Sequence, residues 1–214
     1  MTLPGALAKR ALAVAAPHLV VSRGSAEVPA LCLTFDDGPH PENTPRVLQA
    51  LADAQAQATF FLQGSEARRW PQLVRAIHEQ GHQVANHAAT HRKPREIGTH
   101  AYVKEVVDTH ALLCDIVGEA LPRSFRPPFG DTSLATLARL IRAGFQYVFW
   151  SRDSRDSWLK DPAALLADMA LHRPRAGDIV LFHDDYPQTA AALPELLGTL
   201  REAGLRPVRV DGLT

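Results

Sequence analysis

The sequence has no excess of either charge: 23 lysines and arginines meet 23 aspartates and glutamates over 214 residues. That balance removes the electrostatic basis for a nucleic-acid-binding or membrane-surface protein. Long apolar runs are missing as well, so nothing reads as a bilayer-spanning segment. Cysteine is scarce. Cys32 and Cys114 are the only two, too few for a disulfide framework, and each reads as a small buried side chain. A reducing, cytoplasmic setting is the expectation that follows. Repeats, low-complexity tracts and Gly/Ser linkers are also absent, which leaves one domain with room for a substantial core.

The N-terminus carries a competing signal. Lys9 and Arg10 precede an apolar run over 11–21, and Gly24-Ser25-Ala26 has the small-residue shape of a cleavage site. Pro17 and His18 interrupt that run. Residues 1–29 are therefore expected to form a helical extension packed on the domain, with secretion as the alternative.

What is present is an alternation of short apolar runs and longer helical patterns. The strand candidates are 30–35, 58–62, 83–86, 124–126, 145–150, 179–183 and 206–210. The helical candidates are 43–54, 71–80, 98–118, 133–143, 161–171 and 188–203. Gly81, Gly144 and Gly204 stand where helix C-terminal caps belong. Alternating βα units imply a parallel sheet, so the fold class is α/β. About seven strands in so short a chain suggest a small or distorted (β/α) barrel, with an open doubly wound sheet as the alternative.

Nearly every polar residue of interest follows a strand, which is where parallel α/β folds build their sites. Asp36 and Asp37 end the first strand. One carboxylate can bind a metal while the other takes a proton, although Asp-Gly and Gly-Pro also make ordinary turns. His87 and His91 are four apart and would share one face of a helical turn, as metal-binding histidines do. One carboxylate and two imidazoles suit Zn²⁺ or a similar divalent ion, with a coordination position left for water. Arg126 leads the Pro127-Pro128 segment into Phe129 and is placed to clamp a carboxylate bidentately. Asp153 and Asp156 lie between Trp150 and Trp158. The apolar run through Leu181 delivers His183 to a strand end, as a general acid requires.

Together these five segments resemble the polysaccharide deacetylases, the NodB-homology or carbohydrate esterase family 4 group. The likeness spans roughly residues 30 to 184 in the family's order. It implies a distorted barrel of fewer than eight strands, a catalytic domain over 30–214, and a divalent metal, usually zinc. It implies Asp36 as catalytic base and Asp37, His87 and His91 as metal ligands. Arg126 would hold the base, and the Phe129 backbone N–H would complete the oxyanion hole. Asp153 would tune His183 as the general acid. Trp158 and Leu181 would wall the acetyl-methyl pocket. Two departures stand out. Ala88 replaces a usual Ser or Thr, which suggests a looser metal loop. Trp158 comes one place later than is typical, which leaves the role of Asp156 open.

The reading is a metal-dependent deacetylase that releases acetate from an N-acetylated, or alternatively O-acetylated, sugar. Hydrolysis of a non-sugar amide and a non-catalytic carbohydrate-binding relic are the alternatives. With no additional domain evident, a small or lipid-linked substrate is expected. Arg92, Lys93, Arg95, Arg152 and Arg155 lie near the motifs, and an anionic substrate would suit them if they rim the cleft.

Overall fold

The computed structural model describes residues 18–212. The expected N-terminal helix falls largely on residues outside that range. The strands are β1 (Val20–Val21), β2 (Ala30–Asp36), β3 (Thr59–Leu62), β4 (Gln83–Asn86), β5 (Ser124–Phe125), β6 (Gln146–Val148), β7 (Arg152–Asp153), β8 (Ile179–His183) and β9 (Arg206–Pro207). The helices are α1 (Asn43–Asp53), α2 (Gly64–Arg69), α3 (Pro71–Glu79), α4 (Pro94–Ile97), α5 (Thr99–Val117), α6 (Leu134–Arg142), α7 (Pro162–Leu171) and α8 (Pro187–Glu202). Gly81, Gly144 and Gly204 adopt positive φ just past α3, α6 and α8, as expected of glycine caps. No helix among the described residues is long and apolar enough to cross a membrane.

All strand pairs are parallel, in the order β1-β6-β5-β4-β3-β2-β8-β7, with β9 also paired to β2. The central strand β2 is buried at every position, as a parallel strand covered on both faces must be. β6 and β7 are the two ends of one run. Phe149 N–H donates to Val21 at 2.7 Å, Ser151 N–H to Ile179 at 3.0 Å and Ser154 N–H to Leu181 at 3.1 Å. That run thus passes from β1 to β8 and closes the sheet into a distorted barrel. Among the described residues the strands number nine against about seven expected. The two extra ones, β1 and β7, are each two residues long.

The main core lies between the sheet and helices α1, α3, α7 and α8, around Phe35, Phe60, Phe182, Leu51 and Leu193. A second cluster packs Tyr102, Phe125, Phe145 and Tyr147 under α5 and α6. Register then sets the site. Asp36 pairs with His183 and with Phe61, Leu62 with Asn86, and Asn86 with Phe125. The residues that end these strands, or immediately follow them, therefore stand at one level of the barrel.

Candidate active site

Asp37 follows β2 with φ at 76°, a left-handed conformation that turns its side chain away from that of Asp36. Its Oδ1 lies 3.5 Å from His87 Nε2 and 3.3 Å from His91 Nε2. Donor atoms of Asp37, His87 and His91 all fall within 4.8 Å of one another. Gln63, just past β3, donates to the same Asp37 oxygen at 2.8 Å.

His87 is buried, and its Nδ1–H donates to the Arg126 carbonyl at 2.7 Å. A carbonyl accepts only, so Nε2 carries the lone pair and faces Asp37. Burial drops the imidazole to about pKa 3, despite Asp37 nearby. A neutral ring with a directed lone pair is what metal ligation requires. These three residues fit a divalent cation.

The expected helical turn around the two histidines is not there. β4 ends at Asn86, and residues 87–93 form a loop. Asn86 orders it. Its Oδ1 accepts the Ala88 N–H at 2.8 Å, while its Nδ2 donates to the Val106 carbonyl at 2.8 Å. Gly64 and Ser65, opening α2, donate to the Ala88 and Ala89 carbonyls at 2.9 Å each. Backbone and amide bonds thus stand in for the hydroxyl that Ala88 lacks.

Asp36 is 3% exposed and meets Arg126, which is 0% exposed. Arg126 Nη1 donates to Asp36 Oδ1 and to Thr34 Oγ1, at 2.7 Å each. The other guanidinium N–H groups hold the Val148 and Phe149 carbonyls at 3.1 Å. The group also stacks 4.1 Å from the Phe61 ring centroid. The bidentate clamp expected of Arg126 is therefore a single bond to the carboxylate, because other donors are committed to the Thr34 hydroxyl and to the Val148 and Phe149 carbonyls. Burial raises the Asp36 carboxyl above its ordinary range, and the Arg126 charge opposes that.

The partner of His183 is Asp156 and not the expected Asp153. Asp156 Oδ1 accepts from His183 Nδ1 at 2.8 Å. Asp153 is exposed and caps the Arg155 N–H at 2.8 Å. The reason is local. Arg155 adopts φ at 63°, which turns the chain so that Asp156 is buried. Burial pulls the His183 imidazole down, but the Asp156 bond and the Asp156, Asp36 and Asp37 charges outweigh it, lifting it to about 9.

The remaining expected residues are spread around this centre. Phe129 has φ at 58° and its ring lies 4.1 Å from that of His91. Leu181 is buried in β8, two residues before His183. Trp158 is 82% exposed, so it is no pre-packed pocket wall. Of the basic residues, Lys93 sits 4.3 Å over the Phe129 ring, which itself packs against His91. Arg92 pairs with Glu105, and Arg155 pairs with Asp168 at 3.2 Å. Arg152 opens β7 and pairs in register with Val180, three residues before His183 on β8.

Gln63, Thr34 and Thr189 carry weight that sequence reading missed. Gln63 had one available signal, its place just after a strand, beside the other site residues.

The family model for polysaccharide deacetylase matches residues 23–148. A chitooligosaccharide deacetylase of Sinorhizobium fredii is 36% identical over 197 residues, covering 86% of this chain and 91% of that protein. A peptidoglycan-N-acetylglucosamine deacetylase of Bacillus cereus is 36% identical over 188 residues, covering 86% and 87%. The crystal structure of the Bc1960 peptidoglycan N-acetylglucosamine deacetylase superposes with a TM-score of 0.83 at 29% identity, over 90% of this chain and 91% of that one. Sequence, fold and strand-end geometry agree, and the chain belongs to the polysaccharide deacetylase family.

Proposed function

We propose that this protein is a metal-dependent hydrolase that removes the acetyl group from an N-acetylated sugar. The observation that carries the reading is one juxtaposition. The Asp37/His87/His91 set faces two separate proton-handling pairs, Asp36–Arg126 and His183–Asp156, on neighbouring strand ends.

Asp37, His87 and His91 would hold the cation, zinc in our reading. Such an ion supplies Lewis-acid polarisation of the acetyl carbonyl and lowers the pKa of water. Asp36 takes the proton from the attacking water, and Arg126 keeps its Oδ1 fixed while Oδ2 faces the cleft. The Phe129 backbone N–H donates to the developing oxyanion. His183 delivers the proton to the leaving nitrogen from Nε2, since Nδ1 is committed to Asp156. The names of the two relatives support an N-acetylhexosamine substrate over an O-acetyl ester or a non-sugar amide. A binding relic would be expected to lack at least one of these groups, and all are present.

The test is acetate release from chitooligosaccharides and from peptidoglycan fragments, after chelation and again after zinc is restored. Loss with the chelator and recovery with zinc are expected. Release unaffected by chelation refutes metal dependence, and release only from O-acetyl esters refutes the amide assignment.

A further inference from the structure

Five residues before His183, at the opposite end of β8, the protein has a cavity of about 560 Å³. At about 3.3 Å per residue of parallel strand, Asp178 stands roughly 17 Å from the imidazole. The cavity belongs to no part of the hydrolytic machinery. Its lining includes Arg23, Arg152, Arg173, Arg175, Ser151 and Asp178. Four guanidinium groups thus face one carboxylate, leaving three positive charges around one cavity of a chain whose overall charge is zero.

The one carboxylate is already engaged. Asp178 pairs with Arg23 at 3.2 Å and accepts from the Ser151 hydroxyl and the Arg175 backbone N–H, at 2.8 Å each. Arg152, Arg173 and Arg175 have no carboxylate partner among the described residues. Arg152 Nε is moreover buried without any hydrogen-bond partner, a condition that a protein normally relieves. The C-terminus of α7 opens onto the same cavity, and its carbonyls offset about half an elementary charge. That is a small part of the surplus.

The geometry points to a second ligand site, separate from the hydrolytic centre, that binds an oxyanion of the phosphate class. Guanidinium groups match phosphate oxygens in pairs. An incoming phosphate would neutralise the surplus charge. The volume accommodates a phosphate carried on a sugar.

The test is isothermal titration of the full chain with inorganic phosphate and, separately, with glucose 1-phosphate, at constant ionic strength. Saturable binding of one equivalent is expected from both. Arg173→Gln, an exposed substitution, should weaken it by about tenfold, as expected for loss of one charge-assisted bond. The Arg152→Gln/Arg175→Gln double variant should weaken it further at an unchanged far-ultraviolet circular dichroism spectrum. Absence of saturable binding in the wild type overturns the assignment. So does binding retained at full strength in Arg173→Gln and in a folded double variant, and so does equal displacement by chloride.

Discussion

The Asp156 carboxylate accepts two N–H groups of His183, the ring Nδ1–H at 2.8 Å through Oδ1 and the backbone N–H at 2.7 Å through Oδ2. The Thr189 hydroxyl donates to Oδ2 at 2.7 Å, and Gln188 Nε2 holds the Asp156 carbonyl at 2.7 Å. A carboxylate held at both oxygens cannot swing away from the imidazole. The ring keeps one orientation, with Nε2 directed into the cleft.

This pair sets the alkaline limit of activity. His183 retains its proton up to about pH 9, and a cation bound at Asp37 would lower that value. Below it the acid is loaded, and kcat/KM falls as pH rises through it. In Asp156→Asn the opposing charge is gone, so the limb moves to lower pH and kcat/KM at pH 8 drops about 10²-fold or more. Asp153→Asn should leave the limb in place. pH–rate profiles of the three proteins check this, and a limb that moves with Asp153 instead of Asp156 reverses the assignment. The raised pKa has the matching sign for stability. The pair's contribution is full below the ordinary value of 6.5 and is lost as pH rises through about 9.

In the proposed cation site, the tautomer of His87 is fixed by the Arg126 carbonyl. His87→Ala should abolish both bound metal and acetate release. Elemental analysis of purified protein reads the first directly. One equivalent of zinc still bound to an Asp37→Ala/His87→Ala double variant would place the metal elsewhere.

Arg126→Met removes the guanidinium buried beside Asp36. A buried carboxylate without its partner costs about 3–5 kcal/mol. A large fall in the urea midpoint is expected, together with loss of activity. Asp36→Asn/Arg126→Met should recover much of the stability and none of the activity. If the double variant is no more stable than Arg126→Met, Arg126 acts on the fold through Val148 and Phe149 alone.

Ala88 is buried with φ at 65°, a conformation that glycine adopts freely and β-branched residues avoid. Ala88→Gly should stabilise the loop by about 1 kcal/mol, and Ala88→Thr should destabilise it and weaken metal binding. The sequence alone suggested that a restored hydroxyl would tighten the loop; the backbone angle argues the reverse. Thermal melts and chelator competition give the sign.

The strands were legible where they ran four residues or more between helical stretches. Gln83–Asn86 and Ile179–His183 match their expected bounds. Val20–Val21 and Arg152–Asp153 were not legible, because two residues carry no period; Ser124–Phe125 and Arg206–Pro207, equally short, were legible only from their place after a helical stretch. The short helices Gly64–Arg69 and Pro94–Ile97 escaped for a similar reason. Within the site, residues placed directly by a strand end, such as Asp36, Asp37, His87, Arg126 and His183, were found from position. Asp156 was not assigned, because the turn at Arg155 depends on one backbone angle and the family resemblance pointed to Asp153. Gln63 was passed over because an amide signals no chemistry until its neighbour is known.

Arg126 has a consequence for how this domain changes under selection. It spans from Asp36, the proposed base, to the carbonyls of Val148 and Phe149, in the run that closes the barrel. A descendant no longer required to hydrolyse anything is still required to fold, and folding alone retains Arg126 and, as its counter-charge, Asp36. His91, partly open to solvent with 31% of its side chain exposed, is under no such constraint. Decay of the activity should therefore begin at the metal loop and reach the base last. In a silent descendant, an intact Asp36 and Arg126 would report a fold still under selection, while the state of His91 would report whether the chemistry is.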